Sequence, residues 1–306
     1  MSVQTKLYFV IAITGLVALG SCSKPGIGNT GKNNDNVPVN TMKINPHTTA
    51  ATCDFDVSDT TLTNHGWKKA FDDEFTGDLS NWHVLNGGMH GALQCNEPAN
   101  AQIVNGALQI TAKRETVTGP KTIGNDTTAT FDFTSAWLTS KQSFSANSTT
   151  PRVRLVARIK IATGYGVTSW FWTYGTGVWP TTGEIDCVEA QGNTTNMYST
   201  DYSYGTTPGK SLVTGSLLYN PATVDLSACY HVYTMEWTQN SLNSYLDGNL
   251  VEMKTTDNHV SNLFGTSQIL SLTVPVGGWF YGTLNPASIQ SGTMYVDYVK
   301  VFTSNQ

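Results

Sequence analysis

The chain has 306 residues, with 17 Lys and Arg against 22 Asp and Glu, and a formal net charge of −5. With so few cations and no basic run, the composition argues against nucleic acid as a partner and, more weakly, against a heavily sulfated substrate. The 28 Gly and an aromatic fraction of 10% fit a secreted, turn-rich β protein.

In chain order, Lys6 and the apolar run Leu7 to Leu19 read as an export signal, because the run is too short to span a membrane. It ends in Leu19-Gly20-Ser21-Cys22, which is similar to a bacterial lipobox. Residues 1–22 are therefore expected to be a lipoprotein signal, with Cys22 as the lipidated first residue of an exported chain held at the cell envelope, at the outer membrane. An ordinary signal peptide with an incidental Cys is the alternative. Several acyl chains on one residue would anchor the chain stably, and the lipid is the only expected membrane contact. Residues 23–59 are rich in Gly, Asn, Thr, Ser and Pro without periodicity and read as a flexible tether. Residues 60–306 are expected to form one large catalytic domain, acting as a monomer.

Trp67 to Phe75, followed by Trp82, reads as an opening strand in which Glu74 is a buried structural carboxylate. Asn100 to Ala112 alternates around Asn105-Gly106 and predicts a hairpin. Strands follow at Ser135 to Lys141 and Arg152 to Lys160. The run Val167 to Tyr174 places Trp170, Trp172 and Tyr174 on one face. Such a stripe serves either as a platform for pyranose rings or as packing between two sheets. His231 to Trp237 and Tyr245-Leu246 are strands, with a turn at Asp247-Gly248, and His231 reads as a satisfied structural histidine. Met294 to Val301 closes the domain. Short alternating strands and Gly-rich turns predict an all-β antiparallel sandwich. Four cysteines besides Cys22 (Cys53, Cys95, Cys187, Cys229) allow three full pairings, although a buried Cys187 would pack as a small hydrophobe and leave an odd number. No CxxC or His/Cys cluster suggests zinc.

The chain's chemistry is concentrated in Gly183-Glu184-Ile185-Asp186-Cys187-Val188-Glu189-Ala190. On a regular strand Glu184 and Asp186 share a face and Glu189 points away. A bulge with Cys187 or Val188 as the extra residue returns Glu189 to that face. Retaining glycoside hydrolysis needs two carboxyl groups about 5–5.5 Å apart, one as nucleophile and one as acid then base. A third carboxylate between them hydrogen-bonds the nucleophile and raises the acid's pKa by like-charge repulsion. For the hexapeptide alone, an acidic solvent-facing strand or a Ca²⁺ site is an equal reading.

Glu-x-Asp-x-x-Glu preceded by Trp179-Pro180-x-x-Gly183 resembles the active-site strand of glycoside hydrolase family 16, in particular its laminarinase-like members. The resemblance runs from Trp67 to Phe302, with Asp-Glu-Phe, the Asn105-Gly106 hairpin, His231-x-Tyr233-x-x-Glu236-Trp237, Asp247-Gly248 and Val276-Gly277-Gly278-Trp279 in the family's order. It implies a concanavalin-like jelly roll with a concave substrate cleft, Glu184 as nucleophile, Glu189 as acid/base and Asp186 as assistant, with no cofactor in the chemistry. It also implies a sugar contact from Asn100, for which capping a turn is the equal alternative, a cleft-lining Trp279 and a structural Ca²⁺ at Asp297; Trp172 on the aromatic stripe, Trp179 in the loop before Glu184 and Trp137 at the cleft wall are the other candidate sugar contacts. Two departures stand out. Many laminarinase-like members carry Arg where this chain has Trp137, and a His where it has Tyr198 to Tyr204. The expected function is a retaining endo-β-glycanase acting on β-1,3- or mixed β-1,3/1,4-glucan. A galactan of the agarose or porphyran type is the alternative substrate, and a glycan-binding lipoprotein without turnover the alternative class.

Overall fold

The computed structural model describes residues 41–43, 49–278, 281 and 283–306. The signal segment with Cys22, most of the expected tether and Trp279 lie outside the described residues.

In chain order the strands are β1 (Thr41–Lys43), β2 (Lys68–Asp73), β3 (Trp82–Leu85), β4 (Gly87–Gly88), β5 (Gln94–Asn96), β6 (Ala101–Val104) and β7 (Ala107–Pro120). There follow β8 (Thr128–Ser135), β9 (Trp137–Phe144), β10 (Arg152–Lys160), β11 (Thr168–Gly175), β12 (Glu184–Gln191) and β13 (Met197–Ser203). The last are β14 (Leu218–Pro221), β15 (His231–Trp237), β16 (Ser241–Leu246), β17 (Asn249–Thr255), β18 (Gln268–Thr273) and β19 (Gly292–Ser304). They form two sheets. One has seven strands in the order β14-β13-β12-β11-β18-β9-β3. The other runs β1-β17-β16-β15-β10-β19-β7-β8-β5-β4, with β2 also on β19 and β6 on β7. The all-β sandwich expected from alternation is therefore present. Among the described strands, β5 departs from the antiparallel pattern by running parallel to β8.

Alternation explains the layers. In β10, Val153, Leu155, Ala157 and Ile159 enter the core between the sheets, while Arg152, Arg154, Arg158 and Lys160 stay partly exposed on the other face. Opposite them, Phe171, Ile185, Cys187, Val188, Leu270 and Leu272 supply the same core from the seven-stranded sheet. The Asn105-Gly106 turn has φ of 53° and 75°, as a two-residue turn of type I′ requires.

The folded body begins before residue 60. Thr49 exchanges backbone hydrogen bonds with Pro221 and Thr223, and Cys53 is bonded to Cys229 across 176 residues of chain. Phe55 and Val57 pack on a second apolar cluster of Leu62, Trp67, Val156, Val232, Tyr298 and Phe302, on the outer face of the larger sheet. Ser58 caps the short helix α1 (Asp59–Asn64), accepting from the Thr61 N–H and turning Leu62 inward. A few apolar residues and one cysteine thus dock a segment whose average composition reads as tether. Cys95 and Cys187 are free and buried.

Glu74 is not the buried carboxylate of the opening strand. Its side chain is 55% exposed and pairs with Lys300. Asp73 takes the buried role: Oδ1 accepts from the Phe75 N–H at 3.0 Å, and Oδ2 accepts from Trp82 Nε1 at 2.8 Å and Asn81 Nδ2 at 3.1 Å. Strand parity decides between the two, since Asp73 shares with Phe71 the buried positions of β2.

Candidate active site

Gly183 opens the carboxylate strand β12. It has φ of +81°, and a Cβ there would meet Leu263 at 2.6 Å, so neither the backbone nor the space suits another residue. Its N–H donates to the Pro180 carbonyl, which also receives the Gly205 N–H, and the Trp179 carbonyl accepts from Gly209. The half-buried Trp179 is thus held in a turn tied to the loop after β13.

Register settles which way the carboxylates point. Against β11, Glu184, Asp186 and Glu189 pair with Tyr174, Trp172 and Trp170, while Val188 pairs with Phe171 and Cys187 has no partner in the ladder. Against β13 they pair with Ser203, Asp201 and Ser199, with the same irregularity between Asp186 and Glu189. The extra residue is a β-bulge. Ile185, Cys187 and Val188 all enter the core, and the three carboxylates share the outer face. Asp186 and Glu189 are each 3% exposed, whereas Glu184 is only partly buried, so Glu184 is the member most open to an incoming molecule. The Cys187 thiol is pushed well up by burial and by the neighbouring Asp186, which keeps it protonated and inert.

The two neighbouring strands give the trio unlike surroundings. On the β11 side the rings form a wall. Trp172 stacks on Tyr174 with centroids 4.7 Å apart and on Trp137 of β9 at 5.9 Å, and meets Trp170 edge-on at 6.2 Å. Trp137 is fixed by its Nε1–H donating to Ser271 Oγ at 2.7 Å. The Trp172 indole N–H is buried without an acceptor among the described residues. Burial pushes the Tyr174 phenol up to about 12, so it stays neutral.

On the β13 side the residues are small and polar. Ser199 Oγ donates to the Glu189 carbonyl at 3.2 Å and to its Oε2 at 3.4 Å. Asp201, directly across from Asp186, accepts the Tyr202 N–H at 2.8 Å and the Ser216 hydroxyl on the same oxygen. A small cavity beside Glu189 is lined by Gln191, Thr194, Met197, Ser199 and Tyr219.

Beneath the bulge, Thr200 is held by residues of the other sheet. Lys254 Nζ donates to its Oγ1 at 3.0 Å, its hydroxyl donates to Glu252, and Lys254 pairs with Glu252. Breaking such a buried pair from one side costs about 3–5 kcal/mol. The site therefore depends on the facing sheet. Sequence reading missed Asp201, Glu252 and Lys254. The only signal for the last two is their i, i+2 spacing on β17, which puts opposite charges on one face.

Other expected contacts lie elsewhere. Asn100 is 3% exposed, and its amide nitrogen donates to the Thr111 carbonyl and Thr134 Oγ1, both at 2.8 Å, which ties β7 to β8. Asp297 accepts from Arg158 Nη1 at 2.7 Å on the larger sheet, and no group of three or more His, Cys, Asp or Glu that could hold a metal occurs among the described residues. His231 is fully buried, its Nδ1 2.7 Å from Asp247 Oδ2, in a structural role.

Known proteins resemble this chain in sequence and fold. The family model "Glycosyl hydrolases family 16" matches residues 94–300. The chain is 29% identical to the clotting factor G alpha subunit of Tachypleus tridentatus over 77% of its own length, but spans only 34% of that protein. It is 27% identical to the glucan endo-1,3-beta-glucosidase of Cryptopygus antarcticus, covering 79% of this chain and 94% of that one. The structure of the endo-beta-1,3-glucanase from Pyrococcus furiosus superposes with a TM-score of 0.66 at 27% identity, covering 78% of this chain and 95% of that one. With the model match extending over most of the chain and through the carboxylate strand, the chain belongs to the glycosyl hydrolases of family 16.

Proposed function

We propose that the protein is a retaining endo-acting β-glycanase whose substrate is β-1,3-glucan, with mixed β-1,3/1,4-glucan as the related substrate. The observation that carries this reading is the bulge at Cys187 and Val188, which turns three carboxylates to one face. Glu184 attacks the anomeric carbon while the bond to the leaving oxygen breaks and Glu189 gives that oxygen its proton. Glu189, now a carboxylate, takes a proton from water. The water oxygen displaces Glu184, and the product keeps its anomeric configuration. These steps use carboxyl groups and water, and require no cofactor.

The aromatic wall supports a glycan as the ligand. Trp137, Trp172 and Tyr174 present an apolar edge suited to the C–H face of a pyranose. The printed names of the Cryptopygus antarcticus and Pyrococcus furiosus proteins support β-1,3-glucan as the linkage. The proposed setting is a lipid anchor at Cys22 on the cell envelope. Retention of the chain in the membrane fraction, lost in Cys22→Ala, tests it.

The activity is tested by reducing-end release from laminarin, mixed-linkage glucan, agarose and porphyran, with Glu184→Gln as control. Release from laminarin that vanishes in the control is expected. Release from a galactan alone would replace the substrate and keep the mechanism. Binding without release would make the protein a glycan-binding module.

A further inference from the structure

The entry to the carboxylate strand is gripped from below by a residue that the double-displacement scheme does not use. Gln268 opens β18 and is 1% exposed. Its amide nitrogen donates to the Thr182 carbonyl at 2.7 Å and to Thr266 Oγ1 at 2.9 Å, and its amide oxygen accepts a longer bond from Thr173 Oγ1 at 3.4 Å. Gln268 opposes Gly175 in the ladder and shares the inward side of β18 with the core residues Leu270 and Leu272. The grip therefore comes from the core side and occupies none of the cleft, yet it ends two residues before Glu184.

Thr182 is packed from the opposite side as well. A Cβ on Gly175 would meet Thr182 Cβ at 2.4 Å, and one on Gly177 would meet its Cγ2 at 2.5 Å, so the threonine lies directly on the backbone of both glycines. The Gly175 N–H donates to the Gly183 carbonyl at 3.2 Å, which closes the base of the excursion between β11 and β12. The outer end of that excursion has separate ties, because the Trp179 and Pro180 carbonyls accept from Gly209 and Gly205. Between Thr182 and Glu184 stands only Gly183, at φ of +81°. Glycine is the least restrained residue of the chain, so the direction in which Glu184 leaves the turn is set by what holds its neighbours.

We infer that Gln268 is a positioning residue for the nucleophile: its buried amide fixes the Thr182 carbonyl, and through it the placement of Glu184. The inference rests on the proposed glycanase reading, in which Glu184 must meet the anomeric carbon. A reacting pair misplaced by about 1 Å loses about a hundredfold in rate. Since the Trp179 end of the excursion is tied to the loop after β13, loss of the Gln268 grip acts on the chemical step and leaves substrate binding in place.

The test uses Gln268→Met, which keeps an unbranched side chain of similar length and removes the amide. The full chain is treated with a dinitrophenyl 2-deoxy-2-fluoro glycoside of β-1,3-linked glucose. A Glu184 oxygen bonds to the anomeric carbon, dinitrophenolate leaves with the electron pair of the broken bond, and the fluorine slows hydrolysis so that the ester accumulates. Intact mass counts the esterified chains, and phenolate release times the step. Gln268→Met should reach the same final labelling as wild type, with the rate constant at saturating reagent lowered by roughly 10- to 100-fold and the half-saturating concentration little changed. On laminarin, kcat should fall at nearly constant KM. Incomplete labelling at an unchanged rate constant would show a merely structural role and overturn the inference, as would a raised half-saturating concentration at an unchanged rate constant. Thr266→Val, which removes one acceptor of the same amide, should slow labelling by roughly two- to fivefold, the scale of one net hydrogen bond. If Gln268→Met does not fold, an unchanged rate constant in folded Thr266→Val overturns the inference. Absence of both labelling and reducing-end release in wild type would instead overturn the glycanase reading, which separates the two failures.

Discussion

The two strands beside the carboxylates differ in what they offer. On β11 the partners of Glu184, Asp186 and Glu189 are Tyr174, Trp172 and Trp170, backed by Trp137, whereas on β13 they are Ser203, Asp201 and Ser199. Rings offer contact area and exclude water, while hydroxyls and a carboxylate offer hydrogen bonds and charge. The difference suggests a proposed division of labour, in which the aromatic flank would hold the sugar and the polar flank would govern where protons sit on the trio. Substitutions on the first should act on KM, and those on the second on the pH profile.

The largest effect belongs to the strand that both flanks serve. Glu189→Gln removes the proton donor, and kcat on a glucan should fall by about 10²–10⁴, the usual contribution of a general acid–base group. An aryl glycoside with a good leaving group needs no proton from the enzyme, so its first step should recover in this variant, read as a burst of released phenol. Glu184→Gln should show no burst. Equal bursts in both would exchange or dissolve the assigned roles.

On the aromatic flank, Trp137→Ala removes the outer ring of the stack on Trp172. Aromatic contacts of this kind contribute about 0.5–1.5 kcal/mol beyond their buried area, so KM for laminarin should rise by roughly three- to tenfold, with little change in kcat or in the pH profile. Trp137→Phe should restore most of the affinity. A fall in kcat at constant KM would place this flank in the chemistry and erase the distinction.

Much of this asymmetry is legible before folding, and the illegible part has a common cause. The bulge follows from carboxylate spacing and strand parity, and it occurs at Cys187 as that parity requires. The aromatic stripe follows from alternation along one strand. Asp201 cannot be read this way, because its meaning depends on which residue of another strand it meets, and the bulge itself sets that register. The Asn100 amide bond to Thr134, 34 residues away, and the pairing of Asp297 with Arg158 of β10 are likewise made across strands. The docking of Phe55 and Val57 escapes a reading based on mean composition, since the few residues that dock are diluted by polar neighbours. Features carried by one strand's own pattern survive inspection of the sequence. Features made by pairing across strands do not.

The smallest effect tests the polar flank. Ser199 Oγ donates to Glu189 Oε2 at 3.4 Å, a long bond to an oxygen that must hold a proton for the first step and lose it for the second. Donation from a hydroxyl favours the ionised carboxylate. Ser199→Ala removes that preference, so Glu189 should keep its proton to higher pH and the alkaline limb of kcat/KM should move up. A bond at the weak end of the usual range contributes about 0.5 kcal/mol, which corresponds to roughly half a pH unit or less. An unmoved limb would reduce this flank to a general polar surface.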